Sequence, residues 1–173
     1  ILLAALLQGL LARLDRQRDP RQAGMWLILS CGFLLMAYDE AFSVHEGLST
    51  PVRDLLGGGS LFLFHNAWTI PALLLVLVLG LFFLRFWLHL PAPTRSGTLL
   101  AVMLYLGGVI GVELLGGFYD GITQVDNFTY TMIAALEESL EMAGLIVFIR
   151  VLLDHLAGGR KEIHLSIGQA DVP

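Results

Sequence analysis

Residues 67–84 (AWTIPALLLVLVLGLFFL) run for eighteen positions without a charged side chain. A helix that crosses a bilayer needs about 20 predominantly apolar residues, whereas soluble strands are far shorter. This run sits inside a longer apolar stretch, 61–88, and four more accompany it at 1–14, 23–46, 97–119 and 131–153. None alternates with a period of two, which excludes a membrane barrel. In hydrocarbon every backbone amide has to be satisfied within the segment, and a helix does that. The expected fold class is therefore all-α: a polytopic transmembrane helical bundle of about five spans. Residues 1–157 form the single domain and 158–173 a polar tail. The stretch 1–14 is short for a crossing, and the sequence opens at Ile1 in mid-hydrophobic sequence. One more span upstream, or a removed segment, is expected there.

The composition narrows the function classes. Of 173 residues, 56% are hydrophobic and 14% charged, against roughly 25% charged in soluble domains. A net charge of −5 repels phosphate, so no nucleic-acid partner is expected. The bilayer is the expected partner. The single cysteine, Cys31, allows no internal disulfide and reads as packing within the second span.

Alternate loops of such a bundle lie on opposite faces. One face takes loops 15–22 and 89–96 together with the C-terminus, and holds nine of the 10 Lys and Arg; the other holds Arg53. The positive-inside rule makes the first face, and the C-terminus, cytoplasmic. Ten of the 15 acids fall in the opposite half, so the two halves carry +4 and −9. Trp26 and Trp87 then mark the cytoplasmic boundary, as Trp68, Tyr119 and Tyr130 mark the outer one. His89, His155 and His164 read as cytoplasmic surface residues.

Several acids lie inside the spans. At about 1.5 Å of rise per residue, Glu137 and Glu141 sit roughly 9 and 15 Å below Thr131, and Glu113 roughly 9 Å below Tyr119. Charge at such depth is costly and usually faces the bundle interior. The spacing converges. Asp39, Ser43 and Glu46 share one face of the second span at i, i+4 and i+7, with Glu40 and His45 beside them. Glu137 and Glu141 share a face of the fifth span, with Glu138 adjacent. Glu113 comes from the fourth span and His65 from the outer start of the third. Gly107-x-x-x-Gly111 offers a close approach of helices near Glu113, as do Gly116 and Gly117. No basic side chain is available at that depth. Three readings stay open: a bound cation, neutral hydrogen-bonded acids, or an ion path. The sharpest is a divalent metal site built from Asp39, Glu40, His45, Glu46, His65, Glu113, Glu137, Glu138 and Glu141. Carboxylates with one or two imidazoles suit Mn, Fe or Zn, and Ca if the histidines stand aside.

The segments YDEAFSVHE (38–46), GVELLGG (111–117) and EESLEMAG (137–144) resemble a group of uncharacterised bacterial multi-span proteins. That resemblance implies a bacterial inner-membrane location with the acidic cluster facing the periplasm. It brings no established activity. A ferritin-like di-iron bundle needs Glu-x-x-His on two helices, and neither Glu40 nor Glu138 has a histidine three residues on. GSLFLFH (59–65) and YDE (38–40) faintly resemble two pieces of the membrane ceramidase superfamily, in the wrong order and without its late histidine pair.

These observations name no reaction. Metal-activated water acting on a lipid-soluble or periplasmic substrate is the natural chemistry of such a site. The alternative is a non-catalytic accessory subunit beside other membrane subunits. A third reading is an ion or proton carrier. Against the carrier, the inner halves of the spans offer only Ser30, Cys31 and Tyr105 as polar relays, and no internal repeat is visible.

Overall fold

The structure is a computed structural model that describes residues 1–55, 69–112, 114–116 and 128–158, apart from the side chains of residues 45, 46, 48, 49, 53 and 130. Among the described residues it is helical throughout, with no strand. The helices are α1 (Leu2–Asp15), α2 (Pro20–Phe42), α3 (Val44–Leu55), α4 (Thr69–His89), α5 (Ala92–Leu106) and α6 (Phe128–Gly158). A π-helical segment, Gly107–Val112, continues α5.

Among the described residues three helices are long and apolar enough to cross a membrane: Pro20–Phe42, Thr69–His89 and Ala92–Gly116. Helix α4 makes the argument most directly. It is apolar on all sides, and its large residues remain exposed, Leu77 at 59% and Leu81 at 65%. In water this would be a hydrophobic patch far beyond what monomeric proteins carry, and a bilayer removes the conflict. Helix α1 spans 14 residues, and α6 has 31 but includes Glu137, Glu138 and Glu141.

Local chemistry sets the helix ends. Asp19 caps α2: its side chain accepts from the backbone N–H of Arg21 at 3.0 Å and of Gln22 at 3.1 Å, and Pro20 holds the first helical position. At the other end Ser43 turns left-handed, with φ 46° and ψ 42°, and its N–H bonds back to Asp39 O. A non-glycine residue there is uncommon and stops the helix. One continuous helix to Glu46 is thus ruled out. Glu46 belongs to α3, and the shared face of Asp39, Ser43 and Glu46 does not form.

Two helix pairs build the body. Helices α1 and α2 form a hairpin, tied where Ser30 Oγ donates to Ala5 O at 2.8 Å. Helices α5 and α6 pack antiparallel through glycines. A β-carbon on Gly97 would overlap the Val151 side chain; one on Gly144 would come within 2.8 Å of Tyr105 N, and one on Gly108 within 2.9 Å of Glu137 O. Side-chain-free positions are what let these backbones approach. Gly107 and Gly111 meet nothing within 4 Å, so Gly108, rather than the Gly-x-x-x-Gly pair, makes the contact.

Helix α1 also packs on α6, and the core gathers in that half. Ala4, Leu11, Ala12, Trp26, Leu152 and Leu156 form its buried centre. Trp26 is 2% exposed and meets Phe86 edge-on, with ring centroids 5.0 Å apart. It is therefore a core residue and not an interfacial anchor. Phe33 stacks on Phe148 at 5.2 Å. Cys31, expected in the packing, lies on an exposed face of α2.

Candidate functional site

The acids lie in the opposite half, where Asp39, Glu137 and Glu141 are half-buried and Glu40 and Glu138 exposed. The i, i+4 spacing of Glu137 and Glu141 turns both toward the neighbouring helix, whereas Glu138 is rotated about 100° away. The neighbour is the π segment. At Gly108 its backbone is so close that a β-carbon would lie 2.9 Å from Glu137 O and 3.2 Å from Glu141 Cγ. A π turn inserts one extra residue into a helix and frequently accompanies functional positions. This one ends at Val112, immediately before Glu113 in sequence.

Tyr105 links the two sides. It lies on α5, against Gly144 of α6, on the side of the bundle where Glu141 of α6 and Asp39 and Glu40 of α2 are its acidic neighbours. Those acids come from α6 and α2. Acids from two helices therefore neighbour one hydroxyl carried by a third. Sequence reading placed Tyr105 only among the polar groups of the inner halves. Its membership depends on the register between α5 and α6, which the glycines at 108 and 144 set and linear spacing does not reveal.

Of the nine residues expected to ligate metal, Asp39, Glu40, Glu137, Glu138 and Glu141 are described. The side chains of His45 and Glu46, and the whole of His65 and Glu113, lie outside the described residues. Among the described residues no group of three or more His, Cys, Asp or Glu is placed to hold a metal ion. A closed site would need donors from the other four.

The far half holds a second polar feature. A cavity of about 320 Å³ opens between the last turns of α1 and α6 and the first turn of α5. Thr94 Oγ1 and His155 Nδ1 share a hydrogen bond of 3.1 Å there, and the His155 ring lies 5.6 Å from that of Trp26. His155 is thus half-buried and bonded, where the sequence suggests a surface position. Burial lowers its pKa below the ordinary 6.5, and Asp15 partly opposes the shift. Gln8 and the Trp26 indole N–H are buried in the same half without a hydrogen-bond partner.

The described residues form an all-helical protein whose apolar helices are compatible with a bilayer. The chain belongs to the family described as Domain of unknown function (DUF8692), whose model matches residues 1–156. No curated protein and no solved structure matches it.

Proposed function

We propose that this is a bacterial inner-membrane protein of about five spans, its C-terminus cytoplasmic, that binds a divalent metal ion in the periplasmic half of the bundle. What supports the reading is the close approach of α5 and its π continuation to α6, which sets Glu137 and Glu141 against Gly108, in the half of the bundle that also holds Asp39 and Glu40 at the end of α2. Several carboxylates in a low-dielectric site have to be protonated or compensated by a cation. The charge split of +4 and −9 supports the orientation. Glu113, Glu137, Glu138, His45, Glu46 and His65 complete the proposed donor set, and Mn, Fe or Zn suits it best, with Ca next. With an open coordination position the ion would activate water for hydrolysis of a lipid-soluble or periplasmic substrate.

Elemental analysis of the purified full chain tests this. A stoichiometric divalent metal is expected, and it should be lost when Glu113→Ala and Glu141→Ala are combined. A metal-free wild type, or full retention in the double variant, sinks the reading.

A further inference from the structure

Helix α3 starts where α2 stops, with one residue between them. The 23 residues of α2 extend about 35 Å at 1.5 Å per residue, against a hydrocarbon core of about 30 Å. With its cap at Asp19 on one membrane boundary, Ser43 falls at the other. The left-handed turn at Ser43, φ 46°, ends α2 there and starts a new helix at that depth. Tyr38 and Phe42 stand just inside the same boundary, 58% and 66% exposed with ring centroids 4.6 Å apart. Aromatic side chains gather at that level of a bilayer.

Helix α3 neither crosses the membrane nor folds into the bundle. Its 12 residues make about 18 Å, too short to span. Pro51, inside it, has no N–H for Gly47 O, and a hydrated layer satisfies that carbonyl where hydrocarbon does not. Among the described residues its appreciable packing is with α2 alone. Unlike α4, it has two different faces. Val44, Pro51, Val52 and Leu55 fall at i, i+7, i+8 and i+11 on one face, and Thr50 and Asp54 fall outside it. Val44 is 43% exposed and Leu55 87%. This open apolar face lies at the level of the membrane surface and continues directly from a helix fit to cross it, so lipid is the partner that suits it.

We propose that α3 lies in the membrane–water interface, its apolar face against the glycerol and upper acyl region of the lipids, and anchors the end of α2 that carries Asp39 and Glu40. This rests on the bilayer reading above and does not depend on the metal. Lipid charge has no part in it. In sequence α3 carries Glu46 and Asp54 against Arg53, so no cationic face attracts acidic headgroups.

Nitroxide labels on single cysteines of the full chain test this in phosphatidylcholine vesicles. Cys31→Ser removes the one natural thiol, which is exposed. Thr50→Cys, Val52→Cys, Asp54→Cys and Leu55→Cys are then labelled one at a time, with Leu35→Cys on α2, at a residue 71% exposed, as the reference. Power saturation compares collision with oxygen, which enters lipid, and with a nickel chelate, which stays in water. Labels at 52 and 55 should report a depth of roughly 5–10 Å into the headgroup–acyl boundary. Labels at 50 and 54 should collide with nickel instead, so the ratio of the two accessibilities inverts between neighbouring positions. Nickel access at every α3 position, or shielding of 52 and 55 from both reagents, overturns the proposal; the second result would mean that protein covers the face. The depth should be unchanged when phosphatidylglycerol is added to the vesicles, and a depth that depends on that lipid overturns the proposal too. The label at 35 separates the two readings. Oxygen access there with failure at α3 removes the interfacial helix alone, whereas nickel access there removes the membrane reading and the helix with it.

Discussion

The two halves of the bundle solve different problems with similar helices. In the basic half α1, α2, α4 and α6 close around Trp26 and Leu152, and aromatic rings interlock from Phe83 through Phe86 to Trp26. In the acidic half most described side chains are half-buried or exposed, Thr69 and Val112 being buried exceptions, and close packing follows the glycine contacts of α5 and its π continuation with α6. The contrast teaches that stability and polar chemistry are kept apart here. A dry, interlocked core tolerates few charges, and carboxylates keep their options only where packing leaves room for a counter-ion, water or proton.

The contrast breaks most sharply at Leu152, which is fully buried. Leu152→Ala should cost about 3 kcal/mol in detergent unfolding. The matched truncation Leu136→Ala, at a residue 53% exposed, should stay within about 0.5 kcal/mol. Equal losses would dissolve the distinction. Next is Gly144→Ala, whose β-carbon would press on Tyr105 N and Ala101 O. Backbone cannot swing aside, so about 2 kcal/mol of destabilisation is expected. Metal retention should fall with it if the α5–α6 register holds the acids together.

Smaller effects sharpen the view of the basic half. Gln8 is fully buried with neither amide atom paired, so Gln8→Leu should raise stability by about 1 kcal/mol. A loss would mean that the amide is satisfied in solution. The smallest effect concerns pH. His155 lies beyond the expected span 131–153, and its pKa is lowered in the folded chain. The folded state therefore binds the proton less well than the unfolded state. The stability this contributes is full above pH 6.5 and is lost as pH falls through the folded pKa. His155→Gln should flatten that part of a stability–pH profile.

Much of the helical architecture was legible because hydrocarbon demands it. The runs at 23–46, 61–88 and 97–119 were visible as apolar stretches, and each overlaps a helix fit to cross a membrane. The break at Ser43 was not legible, since serine carries no strong signal for a left-handed turn. Trp26 looked interfacial and His155 looked like a surface residue because position along a span gives depth, whereas burial depends on which helix lies alongside. Among the candidate acids, rotation about the helix separated Glu137 and Glu141 from Glu138 by spacing alone. Tyr105 stayed hidden because its neighbours are set by contact between helices.

The π segment has a consequence for lineage. A turn of this kind differs from an α turn by one residue, the smallest insertion a gene can make in frame. Removing one position between 107 and 112 would let the turn revert to α and leave everything after it on its present face, because five residues of a π turn sweep about the same angle as four of an α turn. Gly116 would stay beside Ile133, and Leu115, now 61% exposed, would stay outward. A relative one residue shorter there should keep its small residue on the same face, and alignments of the family should gap at this point before any other part of α5.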